Sequence, residues 1–301
     1  MIGRVSTFGL GETMLRSSLA VQSKYATAST QQASGLQSAT YAGLGTRAAS
    51  LLSTEATAAQ LQTWSDNTGI ANDRVQAMYS NVGSMIDALT SLRSTLSAAK
   101  STTADADGLN DTGADLLEDL TDLMNLRMDG RYLFAGSNTD TAPVDVSALV
   151  APSSPSAADT SYYSGDSEQS VVRVSGQQTI AYGVTADASG FEQALRAANI
   201  VATMTTSPLD GDSVDEAYDL ATEALDALIA IQSGLSNTSA RLEAARSRQD
   251  AALEQLDGIA STLKEADTAE VAVKIAQYKT QLEASYSALG NLSSLSLVKY
   301  L

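Results

Sequence analysis

Apolar residues between Leu61 and Ala99 recur at alternating spacings of three and four positions. This heptad pattern is typical of a long helix with one apolar seam. At about 1.5 Å per residue the helix would be roughly 58 Å long, which is longer than a small domain is wide. A helix of this length needs a long partner to cover the seam. The seam residues are Leu61, Trp64, Thr68, Ala71, Val75, Met78, Val82, Met85, Leu89, Leu92, Leu96 and Ala99.

A partner of similar length is predicted in the C-terminal half. Ser213 with Glu216 has the spacing of a capping box, which predicts a helix start at Ser213. Asp267 with Glu270 repeats that signature and predicts a joint between two helices. Between them the apolar stripe contains Ala221, Leu225, Leu228, Gln232, Leu235, Leu242, Ala245, Gln249, Ala252, Leu256, Ile259 and Leu263.

Both chain ends are also compatible with helices. After the predicted joint, a third stripe contains Val271, Ile275, Tyr278, Leu282, Ser285, Leu289, Leu292 and Ser296. The N-terminal segment from Val5 to about Thr57 has a thinner stripe, and a break is predicted in its glycine-bearing stretch 34–45. That thin stripe contains Leu15, Leu19, Gln22 and Ala26.

The middle of the chain has a different pattern. A predicted helix over 114–127 leads into the stretch DGRYLFAGSNTDTAP, which starts at Asp129. Helical periodicity stops at Asp129 and Gly130, and residues 132–135 have strand character. Two more strands are predicted over 170–176 and 179–186, after the loop APSSPSAADTS. A helix over 191–204 then leads back to the long helices.

The sequence therefore predicts a mainly α fold, a long antiparallel coiled-coil helical shaft built from both chain ends with a small inserted β-containing module. The terminal segments are residues 1–45 and 268–301, and the shaft comprises 46–128 and 205–267. The inserted β-rich module is 129–204.

Composition excludes several classes of function. The chain has 301 residues and a net charge of −17, which argues against binding to nucleic acid or to an anionic membrane surface. It has no Cys and no His, so thiolate, imidazole and zinc-thiolate chemistry are excluded and no cofactor or metal site is predicted. No apolar stretch is long enough for a membrane span, and the first residues lack the pattern of a cleavable signal peptide.

The apolar stripe at the C-terminal end continues to Leu301, although chain ends are normally frayed and polar. Ordering a terminal helix costs roughly 1 to 2 kcal/mol per residue in backbone entropy. Burial of each seam residue returns about 2 kcal/mol. We therefore hypothesise that both ends are largely unfolded in the monomer and become ordered together among neighbouring copies.

Three motifs indicate a family. RVSTFGL at the start, GRYLFAGS in the middle and ADTAEVAVKIAQYKTQLEASYSALGNLSSLSLVKYL at the end together resemble the bacterial flagellin superfamily. Within it, they are most similar to the hook-associated proteins of the hook–filament junction. The sequence departs from the family pattern at ASGLQSATYAGLGTRAAS, where the family usually has an SGKRI...SDDP-like stretch.

The resemblance implies a structural protein of the flagellum that is not an enzyme. It would self-assemble through terminal helices lining an inner tube, contact a neighbouring hook-associated protein and flagellin subunits, and leave the cell through the flagellar type III exporter, with an export chaperone as a further partner. It would be extracellular, without membrane insertion. The expected assembly interface comprises Val5, Leu15, Leu19, Val271, Ile275, Tyr278, Leu282, Leu289, Leu292 and Leu297.

The resemblance also interprets the central motif as the shaft-to-module junction. Gly130 would end the helix, while Tyr132, Leu133 and Phe134 would attach the first strand to the end of the shaft. Two other functions remain open. One is a short flagellin that forms the filament itself. The other is a secreted binding or hydrolytic module, whose candidate polar residues are Tyr162, Tyr163, Asp166, Glu168 and Arg173.

Overall fold

The computed structural model describes residues 7–101, 108–150, 152–153 and 155–294, and it confirms a mainly α fold with a small β-containing part. The helices are α1 (Thr7–Ser34), α2 (Arg47–Lys100), α3 (Leu109–Met124), α4 (Ser189–Thr203), α5 (Gly211–Lys264) and α6 (Thr268–Ser294). The strands are β1 (Arg127–Met128), β2 (Arg131–Tyr132), β3 (Ser170–Arg173) and β4 (Thr179–Tyr182). Short 3-10 helices cover Tyr41–Leu44 and Val146–Ala148.

The chain divides into two compact units. The first, the terminal unit, contains Met1–Ala59 and Leu253–Leu301. The second, the central unit, contains Gln60–Ala252. The three-part division into terminal, shaft and module segments stays a prediction.

In the central unit α2 and α5 run antiparallel. Ser65 is hydrogen-bonded to Asp250, Gln76 is hydrogen-bonded to Ser239, and Lys100 forms an ion pair with Asp215. Residue numbers thus decrease along α5 as they increase along α2. The heptad seam of α2 faces inward, as its spacing predicts. Buried seam residues in α2 are Thr68, Ala71, Val75, Met78, Val82, Met85, Leu89, Leu92 and Leu96.

The predicted capping box at the start of α5 is wrong. The helix begins at Gly211, and the carboxylate of Asp210 accepts hydrogen bonds from the Ser213 hydroxyl at 2.7 Å and from the Ser213 N–H at 3.4 Å. Glu216 instead accepts from the N–H of Ser156, in a distant loop, at 2.6 Å. A carboxylate just before the first turn caps the helix more directly than the predicted serine.

Helices α3 and α4 pack closely against each other in the central unit. The side chain of Asn110 donates to the carbonyls of Val201, Ala202 and Met204, where α4 ends. Helix α3 begins at Leu109, just before Asn110 and earlier than the predicted start at residue 114. It also ends earlier than predicted, at Met124 rather than Arg127.

Strands β3 and β4 form an antiparallel hairpin in which Ser170 pairs with Tyr182 and Arg173 pairs with Thr179. Both strands are shorter than predicted, although Val174, beyond β3, is still held by the carbonyl of Gln178. The buried side chains of this hairpin are Val172, Ile180 and Tyr182. Exposed and buried positions alternate along β4, which is typical of a strand with one buried face.

In the terminal unit α1 and α6 form an antiparallel pair. Leu36 and Glu265 form an antiparallel bridge, and the N–H of Ala266 donates to the carbonyl of Gly35 at 2.9 Å. The predicted cap at Asp267 is confirmed, because its carboxylate accepts from the N–H groups of Ala269 and Glu270, both at 3.0 Å. The break in the N-terminal segment also lies within the predicted stretch 34–45, since α1 ends at Ser34.

Candidate functional site

The terminal helix pair contains most of the residues expected in the assembly interface. On α1, Ser18 and Ala28 are buried, and Ala28 packs with Ala266 and Val271. Met14, Val21 and Tyr25 are half-buried and continue the same helical face. The covered face of α1 thus follows the spacing 14, 18, 21, 25, 28.

The stripe predicted on α1 is not the face that α6 covers. Leu15 is 50% exposed and Leu19 is 55% exposed, and Gln22 and Ala26 are exposed as well. Each lies one position beyond the covered face. A one-position shift rotates a residue by about 100° around an α-helix, which moves these leucines out of the contact with α6.

On α6 the predicted stripe does face α1. Val271 is 3% exposed and Leu282 is 9% exposed, while Ile275, Tyr278 and Leu289 are half-buried. Val5 and Leu297, and the side chain of Leu292, lie outside the described residues. The structure thus separates the candidate residues into an α6 group covered by α1 and two exposed leucines on α1.

A polar cluster lies in the terminal unit beside the link between α1 and α2. Glu55 forms an ion pair with Lys264 at 2.6 Å and accepts a hydrogen bond from the Tyr41 hydroxyl at 2.7 Å. The hydrogen bond from Lys264 lowers the pKa of Glu55, with a smaller contribution from Tyr41. Conversely, hydrogen bonding to Glu55 raises the pKa of Lys264 and that of Tyr41. No sequence signal marked these residues, because they are 14 and 209 positions apart.

The central motif forms a tight hairpin in the central unit. Strands β1 and β2 pair Arg127 with Tyr132, and the turn between them is Asp129–Gly130. Asp129 has φ 51° and Gly130 has φ 78°, the left-handed values that a two-residue hairpin turn requires. The guanidinium of Arg127 lies 4.8 Å from the ring centre of Tyr132 and donates to the carbonyl of Gly130 at 2.6 Å.

Gly130 does not end the helix, contrary to prediction. Helix α3 ends at Met124, and the next residue, Asn125, exchanges two hydrogen bonds with the backbone of Val144. Its amide nitrogen donates to the Val144 carbonyl at 2.8 Å, and its amide oxygen accepts from the Val144 N–H at 3.0 Å. Asn125 thus holds the chain where it leaves the helix, and Gly130 serves the turn that follows.

The residues after the turn are buried, but they are not all in a strand. β2 ends at Tyr132, which is half-buried, whereas Leu133, Phe134 and Ala135 are buried in an irregular segment. Phe134 packs edge-on against Phe191 of α4, with ring centres 5.6 Å apart. Its carbonyl accepts from the N–H of Ala186 at 2.9 Å. The motif therefore attaches to α4 mainly through Phe134.

Asp166 organises the end of the same motif, a role that sequence reasoning did not assign to it. Its carboxylate accepts from the N–H of Ser137 at 2.9 Å, from the Ser137 hydroxyl, and from the N–H of Glu168 at 3.0 Å. Hydrogen bonds from Ser137 lower the pKa of Asp166. The role of Asp166 is recognisable only from its contact with Ser137 in the folded chain, because the two residues are far apart in the sequence.

The loop after residue 150 is held by acidic side chains. Glu216 binds the backbone and hydroxyl of Ser156, and Glu192 accepts from the N–H of Asp159 at 3.0 Å. Glu192 is nearly buried and pairs with Arg196 at 3.0 Å. These contacts restrain the loop at Ser156 and Asp159.

Three of the residues considered for a binding or hydrolytic module, Tyr162, Tyr163 and Asp166, make contacts within the folded chain. The Tyr162 hydroxyl is buried and donates to the carbonyl of Ala186 at 2.8 Å. Burial raises the pKa of Tyr162, and also that of Tyr163, whose hydroxyl donates to the Asp166 carbonyl at 2.6 Å. Glu168 and Arg173 are exposed. These contacts organise the inserted segment rather than a reactive centre.

Two further observations concern the described part of the chain. No cluster of three acidic side chains there could hold a metal ion. Nor does any helix there have the length and apolar character that a membrane span requires. The described residues thus form a mainly helical protein in which α1, near the start of the chain, pairs with α6, near its end.

The particular family follows from comparison with known proteins. The model of the bacterial flagellin N-terminal helical region matches residues 5–139, and that of the C-terminal helical region matches residues 218–301. Together they match more than half of the chain, which therefore belongs to the bacterial flagellin family. No curated protein sequence matches significantly.

Solved structures share the fold at low sequence identity. A putative flagellar hook-associated protein from Vibrio parahaemolyticus is 15% identical with a TM-score of 0.59. The match covers 71% of this chain and 96% of the Vibrio chain. Bacillus cereus FlgL is 14% identical with a TM-score of 0.54, covering 68% and 99%. The flagellar hook-associated protein-3 from Legionella pneumophila is 14% identical with a TM-score of 0.56, covering 70% and 98%.

Proposed function

We propose that this protein joins the flagellar hook to the filament and assembles through its terminal helices. Its chain ends match the two flagellin helical regions, and its fold is shared along nearly the full length of several hook-associated proteins. In this role it is a structural protein without catalytic activity. Its partners are further copies of itself, a neighbouring hook-associated protein and the first flagellin subunits.

The observation that carries the proposal is the exposure of Leu15 and Leu19 on a helix whose other face is covered by α6. Two leucines about half in water on neighbouring turns form an apolar strip. Covering such side chains is favourable by about 25 cal/mol per Å² of apolar surface removed from water. A neighbouring copy that covers the strip would gain this energy without changing the fold of the single chain.

The test replaces both leucines with aspartate. We expect the Leu15→Asp, Leu19→Asp variant to keep the helical content of the wild type and to lose incorporation into flagella, because each charge would be desolvated at the interface. Incorporation is measured by immunoblotting of sheared and purified flagella.

The matched control is Thr13→Asp with Ser17→Asp, which adds the same charge on a different exposed side of α1. It should be incorporated. If the leucine variant were incorporated as well as the wild type, the proposed interface would be wrong. Equal loss in both variants would attribute the defect to added charge and would also contradict the assignment to the leucines.

A second experiment distinguishes the junction protein from a short flagellin. Cells lacking this protein should make hooks and release flagellin into the medium if it joins hook and filament. If it forms the filament, the mutant should lack the main filament subunit, and no flagellin should appear in the medium. The proposal also includes export through the flagellar apparatus, which predicts that the protein stays in cells that lack that exporter.

A further inference from the structure

The long helices of the central unit have a seam that leaves their alignment ambiguous. Large apolar residues repeat along α2 with heptad spacing, and Leu228, Leu235 and Leu242 repeat every seven residues along α5. Sliding one helix by seven residues would again place apolar side chains opposite apolar side chains. Apolar packing alone therefore distinguishes weakly between the observed register and its neighbours.

Two polar layers centred on buried residues of α5 interrupt this seam, in addition to the bond between Ser65 and Asp250. In the first, Ser239 of α5 is only 5% exposed, and its hydroxyl donates to the side-chain oxygen of Asn72 at 2.7 Å. The same hydroxyl accepts from the side-chain amide of Gln76, also at 2.7 Å. One serine thus uses both its donor and its acceptor capacity on two residues one turn apart on α2.

In the second layer, Gln249 of α5 is 4% exposed. Its amide nitrogen donates to the hydroxyl of Thr68 on α2 at 3.3 Å and to the carbonyl of Val174 at 2.8 Å. Val174 follows β3 directly. This one side chain therefore bonds both the opposite long helix and the end of the β3–β4 hairpin.

A slide of seven residues would break both layers at once. Gln249 would face Leu61 or Val75 in place of Thr68, and neither side chain can accept a hydrogen bond. Ser239 would be carried away from Asn72 and Gln76, so its buried hydroxyl would lose both partners. Because buried polar groups that lose their partners are costly, the shifted registers are disfavoured even though their apolar contacts are similar.

We propose that Ser239 and Gln249 are positioning residues that select the register of α2 against α5, and that Gln249 also sets the place of the β3–β4 hairpin along these helices. In an assembling protein this selection gives every copy the same central unit. These hydrogen bonds select the register without adding to the stability of the helix pair, since an apolar seam would be at least as stable.

The absence of cysteine in the chain allows a direct test by disulfide trapping. Ser65 and Asp250 touch in the observed register, with a hydrogen bond of 3.0 Å, so a Ser65→Cys, Asp250→Cys pair reports that register. Pairing Ser65→Cys with Glu243→Cys or with Asp257→Cys reports a slide of one heptad in either direction. Each pair is placed in the full chain and oxidised under identical conditions.

The test compares these pairs in the wild-type background and in a background with apolar layers, Thr68→Val, Ser239→Ala and Gln249→Leu. We expect the wild type to form the Ser65–Asp250 cross-link alone. In the apolar background we expect a shifted cross-link to increase by at least about tenfold, while helical content and melting temperature stay the same or rise. If the triple variant lost its helical signal, Gln249→Leu alone would be compared in the same way.

A destabilised control separates register from stability. Leu235→Ala removes a buried apolar side chain but leaves both polar layers in place. It should lower the melting temperature without producing shifted cross-links. The proposal is overturned if the apolar variants form only the Ser65–Asp250 cross-link, or if Leu235→Ala produces shifted cross-links to the same extent.

Discussion

Gly113 lies where α3 contacts α4, in a position that leaves no room for a side chain. A Cβ atom there would be 2.4 Å from the backbone nitrogen of Ala202 and 2.7 Å from the carbonyl carbon of Val201. Glycine normally weakens a helix, by up to about 1 kcal/mol relative to alanine. At this position the close approach of two backbones explains why glycine is suitable.

We therefore expect Gly113→Ala to lower the free energy of unfolding, because overpacking against backbone costs about 1 to 3 kcal/mol and exceeds the gain in helix propensity. The measurement is urea denaturation followed by circular dichroism. The matched control is Gly234→Ala in α5, where nothing lies within 4 Å of the added atom. The control should be unchanged or more stable, and equal effects of the two substitutions would contradict the packing described.

The ion pair of Glu55 with Lys264 should make stability depend on pH. Its partners lower the pKa of Glu55 from the ordinary value of 4.5, so its contribution is present above that value and is lost as the pH falls through the lowered pKa. We expect Glu55→Gln to melt at a lower temperature than the wild type at pH 7. The difference should shrink as the pH falls below 4.5 and through the lowered pKa of Glu55.

Melting curves from pH 3 to pH 7 would check this expectation. Glu254→Gln is a matched control, because it removes the same charge from an exposed position in the same unit. A difference between wild type and Glu55→Gln that persisted unchanged at pH 3 would show that the carboxylate charge of Glu55 is not responsible.

Among the helices, the long ones were the most predictable. Their seams contain large side chains at regular spacing, as Met85 and Leu89 illustrate, and burial follows that spacing. The face of α1 was not predictable in this way. Ser18 and Ala28 are buried there while Leu15 is exposed, so choosing the most apolar stripe selects the wrong side. The pattern of apolar residues does not distinguish a leucine that its own chain covers from one that another molecule would cover.

Residues that join distant segments were also beyond sequence reasoning. Asn125 ends α3 by bonding Val144, and Asp166 holds Ser137, a residue 29 positions earlier. Turn chemistry was recognisable at Asp129–Gly130, because local geometry alone requires it. A side chain whose partner is set by tertiary structure carries no such local signal. The Glu216–Ser156 contact shows the same limit, since local spacing instead predicted a capping box.

The terminal helix pair has a small core, which bears on its stability in a single chain. Its cluster of buried apolar residues consists of Ala28, Ala266 and Val271, with Ile275 and Tyr278 packed beside it. Two of the three buried residues in this cluster are alanines, which remove little apolar surface from water, and Leu282 is buried apart from the cluster. The α1–α6 pair therefore forms within one chain but has few apolar contacts to hold it.

We expect amides of α1 and α6 to exchange faster than those around Leu89 in α2 when the protein is dilute and monomeric, because local opening is easiest where few apolar contacts are buried. Hydrogen exchange followed by mass spectrometry measures this directly. After assembly the same amides should become protected. Protection of Val271 and its neighbours equal to that around Leu89 in the dilute monomer would exclude the hypothesis that neighbouring copies order the chain ends.

At the scale of the whole molecule, the pairing of the two chain ends is the feature that connects fold to role. The long antiparallel helices and the small inserted β-containing part were predictable from periodicity, and the family followed from motifs at the start, middle and end of the chain. In the proposed assembly, the contacts of the protein with its neighbours depend on exposed surfaces such as Leu15 and Leu19. A sequence pattern cannot distinguish those surfaces from a core.

The most direct test of the proposed role is the location of the protein on intact flagella. Antibodies against the purified protein, viewed by immuno-electron microscopy, should label a narrow band where the hook meets the filament, because a joining protein occupies only that boundary. Labelling along the whole filament would contradict the proposed role and identify a filament subunit. The absence of label from flagella that carry both hook and filament would contradict both assignments.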